Sequence, residues 1–411
     1  MSNRPEPEPE PKPKPKPKLP RGFVASGVHC GIKTASNCED IMLIVSDRPA
    51  LAVGVYTQNV FRAAPVLLDT ERTPSESIRA IVANSGNANA CTGEIGLKNA
   101  LRMTELTADA CAIEADDVLV LSTGIIGEQL PMSNIEQGIA NAAAELSDSA
   151  EALERAARGI MTTDTHPKMA TRSIDIDGET ITITGLAKGA AMIGPNMATM
   201  LGVVVTDAQL TSPDAAASLR AAVDKSFHAI SVEGHTSTND TVLLVANGAA
   251  MENRLTGESL AEFNEAVSAV CIELARAIPN DGEGATHLIE ITIKGAASDQ
   301  DARTIAKTVA DSALVKTAIC GADPNWGRIV SAVGYADAEV NADSLTLKMN
   351  GTLLFQAGGP IAFDAAKLTE SIRSNRTTTV EIDLGLGTGA CTFWTCDLTA
   401  EYVKINADYH T

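Results

Sequence analysis

The chain has 411 residues, 45% hydrophobic and 20% charged, which excludes a disordered polymer and leaves room for two to three domains with a real core. Aromatics are only 3%, so that core has to be built from Ala, Val, Ile and Leu. The 32 basic and 52 acidic residues give a net charge of −20, which argues against nucleic acid and anionic membrane as partners. In chain order, residues 1–20 come first and hold eight of the 18 prolines, alternating with Glu and then Lys. They read as a polyproline-II tail that buries nothing. From Arg21 the pattern is α/β. Ile41–Val45, Leu51–Tyr56, Ala80–Ala83 and Val118–Leu121 read as buried strands. Leu97, Ala100, Leu101, Thr104, Ala108 and Cys111 share one helical face. Ser133 and Glu136 form a capping-box pattern for a helix through about Leu146. Leu153, Ala156, Ala157 and Ile160 mark the next helix. In the second half, strand Leu201–Val205 leads to a helix start at Ser212-Pro213-Asp214. Ser259 and Glu262 cap a further helix, with Leu260, Phe263, Val267, Val270 and Leu274 inward, and Leu288–Ile293 is again a strand. There is no internal repeat.

No apolar run approaches the roughly 18 residues that span a bilayer, and the first 20 residues lack the apolar segment of a secretory signal. Eight cysteines without a CxxC pair read as small, mostly buried hydrophobes in a reducing cytoplasm. Six histidines without HxxxH or HExxH spacing give no metal site.

Four stretches look unlike scaffold: Ser85–Gly93, Ser122–Gly127, Lys188–Leu201 and Asp281–Thr286. Glycine-rich turns after strands present backbone N–H groups to phosphate or an oxyanion. None is a Walker A loop or GxGxxG, and without a family resemblance the ordinary strand-to-helix turn is the favoured reading of each.

The third stretch, KGAAMIGPNMATML, resembles the self-cleavage site of the ornithine acetyltransferase family, the glutamate N-acetyltransferase of the cyclic arginine pathway. The resemblance runs over nearly the whole chain after residue 21. It includes GFVASGVHCGIK, ANSGNANACTG at 83–93, STGIIG at 122–127, IMTTDTHPK at 160–168, TSTNDT at 236–241, NDGEGAT at 280–286, GADPNWGRI at 321–329 and the final YVKINADYHT. It implies a layered α-β-β-α sandwich with a smaller C-terminal α/β subdomain from about residue 290. It also implies a cut between Ala198 and Thr199, giving chains 21–198 (with the tail) and 199–411 that fold as one body and assemble as a heterotetramer of two cleaved pairs.

The chemistry behind such a cut is legible. A threonine hydroxyl is a poor nucleophile without an adjacent base. Cleavage gives Thr199 a free α-amine of reference pKa about 7.7–8.0, close to the operating pH. The resemblance implies Thr199 as nucleophile, the Thr123 hydroxyl and Gly124 N–H as oxyanion donors, and Thr162, Lys188, Thr199, Glu283, Asn406 and Thr411 as substrate contacts. Lys188 suits an α-carboxylate and Glu283 an ammonium. With the tail carrying +2, residues 19–411 carry −22, so Lys188 rather than any general field has to hold the carboxylate. Tyr402, Val403 and Ile405 are expected to dock the C-terminal segment. Outside the family context, Lys188 and Glu283 would be solvated surface charges.

His235, His287 and His410 depart from the family pattern without touching Thr199, Thr123 or Gly124. The expected reaction is ping-pong acetyl transfer from N-acetylornithine to glutamate with no cofactor. Some members also take acetyl-CoA as donor. Two other readings of the same residues are an N-terminal-nucleophile amidase or aminopeptidase, and an uncleaved small-molecule binding protein using the glycine turns.

Overall fold

The computed structural model describes residues 17–34, 38–194 and 200–408. The expectations placed on most of the Pro-rich tail, on Ala198, Thr199, His410 and Thr411 therefore lie outside the described residues. In chain order the elements are β1 (Phe23–Val28), β2 (Ile41–Tyr56), α1 (Ala64–Arg72), β3 (Ser75–Asn87), α2 (Gly93–Cys111), β4 (Val118–Ile125), α3 (Met132–Ala144), α4 (Ala150–Gly159), β5 (Lys168–Ile176), β6 (Glu179–Lys188) and β7 (Leu201–Thr206). The chain continues with α5 (Ser212–Asp224), β8 (Thr241–Ala246), α6 (Gly257–Asn280), β9 (Leu288–Ala296), α7 (Asp299–Asp311), α8 (Ala313–Cys320), α9 (Trp326–Gly334), β10 (Thr346–Met349), β11 (Thr352–Gln356), β12 (Gly359–Pro360), α10 (Ala365–Ser374), β13 (Thr377–Asp383), β14 (Gly389–Cys396) and α11 (Ala400–Asp408).

The two strands expected at 41–45 and 51–56 are one strand, β2. Its register with β3 slips between Val45 and Ala50, where Asp47, Arg48 and Pro49 bulge into solvent. The first half of β2 pairs with β1 and β3, and the second half pairs with β8. The path through this sheet is β4-β3-β2-β8-β7-β6-β5. Strands β4 and β6 are thus five steps apart, about 24 Å in a flat sheet. Yet Lys188 at the end of β6 donates to Thr123 in β4 at 3.2 Å. The sheet therefore folds back across the β2 bend into two facing layers.

Packing follows from that fold-back. The facing surfaces share one apolar cluster, with Ile81, Ala83, Leu119 and Leu121 from one layer and Leu186, Val203, Val205, Leu243 and Val245 from the other. Outside the first layer, Ala100, Met103, Ile135 and Ile139 of α2 and α3 cover Val82, Val118 and Val120. Outside the second, Leu219, Phe263, Val267, Val270 and Leu274 of α5 and α6 cover Ile181, Ile183, Val204 and Leu244. This is the α-β-β-α sandwich. A second sheet, β12-β11-β10-β13-β9-β14, packs Ile289, Ile291 and Ile293 against Ile305 and Val309 of α7. Its core is continuous with that under α5 and α6.

Four local expectations need correction. Helix α3 begins at Met132 with Pro131 as cap residue, so Ser133 lies inside the first turn and caps nothing. In α6 the N-cap is Thr256, and Ser259 is its reciprocal partner at the third helical position, one turn earlier than the Ser259–Glu262 pattern suggested. On α2 the buried face is Gly96, Ala100, Met103, Thr104, Thr107 and Ala108. Leu97 and Leu101 are 39% and 37% exposed, because the small residues, not the leucines, allow close packing. The eight cysteines form no disulfide among the described residues, and only Cys271 and Cys396 are buried while Cys91 is exposed.

Candidate active site

The ends of β3, β4, β6, β7 and β8 meet on one side of the sandwich, and polar side chains bolt them together. Ser122 Oγ donates to Asn84 Oδ1 at 2.6 Å, and Asn239 Nδ2 donates to Ala88 O at 2.6 Å and Ser122 O at 2.8 Å. The TSTNDT block thereby fixes the two glycine turns that follow β3 and β4. Gly124 adopts φ +136°, and a Cβ there would stand 2.2 Å from the Gly86 carbonyl carbon, so only glycine fits.

Lys188 is the last residue of β6 and is only 2% exposed, unlike the solvated surface charge it would be taken for outside the family context. Its Nζ donates to Thr123 Oγ1. An ammonium has donors only, so the Thr123 hydroxyl is the acceptor and keeps its own hydrogen free for another oxygen. Burial pulls the Lys188 amine below its usual range, Asp164 and Asp240 work against that, and Lys168 adds to it.

Asp164 is the hub behind this lysine. Its Oδ1 accepts from Lys168 Nζ at 2.6 Å and Gly189 N at 2.7 Å, and its Oδ2 accepts from Thr162 N at 3.0 Å. Lys168 also donates to Asp281 Oδ2 at 2.6 Å. Burial pushes the Asp164 carboxyl up, but Lys168, Lys188 and the Gly189 N–H outweigh it and hold it at about 2. Thr162, Gly189 and Lys188 are thus positioned by one buried ion cluster.

Two further carboxyls flank the cleavage segment. Asp240, fully buried, accepts from Met200 N at 3.1 Å, the amide joined to Thr199. Its other oxygen has no partner among the described residues, and burial pushes it up to about 8. Glu233 accepts from Ile193 N at 2.6 Å. On the C-terminal side, Glu283 N donates to Ala190 O at 3.0 Å and Glu283 Oε2 accepts from Asn406 Nδ2 at 2.8 Å. Gly284, at φ +68°, lets the Tyr402 backbone come close; a Cβ would meet Tyr402 N at 2.6 Å. The docking is by these polar contacts rather than by apolar burial: Val403 is 61% exposed and α11 buries no side chain fully.

The structure therefore gathers Thr123, Gly124, Thr162 and Lys188, and ties Glu283 and Asn406 to the same Lys188–Ile193 stretch. Asp164, Lys168, Asp281, Asn239, Asp240 and Glu233 carry no role in the sequence reading. Asp164 and Lys168 stand as polar residues inside IMTTDTHPK, Asn239 and Asp240 inside TSTNDT and Asp281 inside NDGEGAT, whereas Glu233 lies in none of these blocks. His287 faces away, with Nδ1 at 3.3 Å from Asp397 and Nε2 at 3.2 Å from Ile372 O. His235 is exposed. A separate cleft of about 720 Å³, lined by Lys225, Ile272, Lys294, Arg303 and Trp394, lies between α5, α6 and the second sheet, away from these residues.

Lys168→Met is expected to destabilise the protein by about 3–5 kcal/mol, because it strands two buried carboxylates. Denaturant unfolding at neutral pH measures this. Asp164, depressed when folded, contributes stability that is complete above the unfolded value near 3.9 and lost as pH falls toward about 2. Wild-type stability should therefore drop in that acid window. The drop should be smaller in Lys168→Met, where the main opposite charge is gone.

The profile described as the ArgJ family matches residues 24–411. A protein of Rhodopirellula baltica named arginine biosynthesis bifunctional protein ArgJ is 46% identical over 397 residues, covering 96% of each chain. A protein of the same name from Symbiobacterium thermophilum is 47% identical over 395 residues, covering 95% of this chain and 98% of its own. Among solved structures, ornithine acetyltransferase from Mycobacterium tuberculosis complexed with ornithine aligns at 34% identity and TM-score 0.39, over 44% of this chain and 95% of its own.

Proposed function

The chain belongs to the ArgJ family, and from that premise we propose that it is a self-processing acetyltransferase moving the acetyl group of N-acetylornithine to glutamate. The observation that carries the site assignment is the buried Lys188 ammonium on the Thr123 hydroxyl beside Gly124. It leaves an O–H and, at the neighbouring glycine, a backbone N–H for an oxyanion.

In processing, the Thr199 hydroxyl attacks the Ala198 carbonyl, the C–N bond breaks, and water hydrolyses the resulting ester. Thr199 then opens a new chain with nucleophile and base on one residue. In the first half-reaction its oxygen attacks the acetyl carbonyl of N-acetylornithine. The amine takes the hydroxyl proton and passes it to the leaving ornithine nitrogen. In the second, the deprotonated amine of glutamate attacks the acetyl ester, Thr199 recovers its proton, and N-acetylglutamate leaves. An amide replaces a similar amide, so no ATP or cofactor is called for. Lys188 pairs with the substrate α-carboxylate, and Glu283 with Asn406 receives the ornithine ammonium. Thr162 and Thr411 complete the contacts.

We assign acetyl-CoA as a second candidate donor, the cytoplasm as the location and a heterotetramer of two cleaved pairs as the assembly. No helix among the described residues is long and apolar enough to cross a membrane. The deciding experiment incubates the protein with glutamate and either N-acetylornithine or acetyl-CoA and measures N-acetylglutamate. Product from N-acetylornithine, with ornithine released, is expected. Free acetate without glutamate, and no N-acetylglutamate with it, would mean water is the acceptor and the protein an amidase.

A further inference from the structure

Glu233 has no part in the mechanism above, yet its placement is unusual. Its Oε1 is held by Ile193 N, while its Oε2 is buried with no hydrogen-bond partner among the described residues. The short stretch 190–193 anchors Glu233 at one end and, through Ala190 O, Glu283 at the other. Both carboxylates therefore hang from the segment that leads into the cleavage site. The groups around Glu233 are Lys316 from α8, Asp311 from α7, Glu283, Tyr402 from α11 and Cys396 from β14. Lys316 Nζ is already engaged by Val232 O and Thr395 Oγ1.

The reaction poses a problem that this pair addresses. The terminal nitrogen of ornithine and the side-chain oxygens of glutamate stand the same number of bonds from Cα. With the α-carboxylate held at Lys188, both termini reach the same place. One needs acceptors and the other needs donors. We propose that Glu233 is a specificity-determining residue that lets one subsite accept side chains of opposite charge by changing its own protonation with the substrate bound. This rests on the substrate placement proposed above. Ionised Glu233, with Glu283, accepts from the ornithine ammonium. Protonated Glu233 donates its Oε2 hydrogen to the glutamate side-chain carboxylate. Exchange of ornithine for glutamate takes up one proton from solvent, and no other bond changes. Burial, reinforced by Glu283 and Asp311 and opposed by Ile193 N–H and Lys316, pushes this carboxyl up to about 8, where both forms are accessible.

The test is calorimetry of the processed enzyme with ornithine and with glutamate, neither of which carries an acetyl group to donate. Two buffers of different ionisation enthalpy report protons released. At about pH 7 ornithine should release close to one proton and glutamate close to none. Between about pH 7 and about pH 9 ornithine affinity should rise and glutamate affinity fall, by up to about tenfold per pH unit.

Glu233→Gln keeps an acceptor for Ile193 N and supplies a fixed donor. It should bind glutamate as the wild type does at about pH 7, bind ornithine about tenfold more weakly, and lose the opposed slopes. Glu283→Gln removes a like charge and should move the crossover to lower pH. A residue that merely braces Ile193 gives no ligand-specific proton release. Parallel pH dependences in the wild type, or opposed slopes retained in Glu233→Gln, overturn the inference. If that happens while N-acetylornithine still donates to glutamate, the acetyltransferase reading stands alone. If N-acetylornithine does not donate at all, both fail.

Discussion

Gly124→Ala is expected to lower acetyl transfer by about 10²–10³-fold in kcat, with KM for N-acetylornithine much less affected. The cause is steric and unavoidable. The added Cβ would sit 2.2 Å from the Gly86 carbonyl carbon, 2.4 Å from Asn87 N and 2.6 Å from Gly86 O. All three are backbone atoms of the paired strand, so no side chain can swing aside. The φ of +136° is also outside what alanine adopts without strain. The ends of β3 and β4 must separate, and that moves Thr123, one residue away, off the Lys188 ammonium. The donors are then misplaced for the oxyanion while the α-carboxylate partner is still present, which is why kcat carries the loss. Self-processing passes through the same oxyanion and should slow in parallel, visible as persistence of the uncut chain on a denaturing gel. Thr123→Val is the isosteric comparison: it leaves the turn intact but removes the hydroxyl. Near wild-type transfer in both variants would remove this pair from the oxyanion role.

What the residues show without the family resemblance is local. The strand-then-glycine pattern at Ser122–Gly127 located Thr123 and Gly124 at a strand end, and the structure puts them there. The two layers were implied only by the family resemblance; the residues themselves do not show the fold-back, because it depends on a bend inside one strand. Apolar residues at 41–45 and 51–56 look the same whether Asp47–Pro49 is a loop or a bulge. Lys188 shows the same limit. A lysine beside glycines reads as a surface charge, yet the preceding run Ile181–Ala187 is wholly buried and carries Lys188 inward with it. Its partner Thr123 is 65 residues away. Asp164 and Lys168 have the spacing of a helical ion pair, but they flank a strand start and are held by Asp281, 113 residues beyond Lys168. Asp240 and Glu233 stayed silent for a different reason. What singles them out is a buried oxygen without a partner, and only a packed structure can show that.

Thr199→Ala should remain a single chain near 42.8 kDa and release no ornithine from N-acetylornithine, a loss of at least about 10³-fold in kcat/KM. Alanine removes the oxygen that would form both the processing ester and the acetyl ester. With no cut, there is also no new α-amine to serve as base. The two losses are one event, so they should not be separable by longer incubation or by added glutamate. The variant should still fold, because β6 and β7 on either side of the cut pair through Lys188 and Leu201 whether or not the segment between them is severed. Thr199→Ser separates hydroxyl from methyl. It retains a nucleophile and a potential amine, so two bands of about half mass each and measurable transfer are expected. In the wild type and the serine variant, kcat/KM should fall with decreasing pH as the new α-amine, reference value about 7.7–8.0, becomes protonated. Two bands from Thr199→Ala, or transfer at the wild-type rate, would show that another residue is the nucleophile.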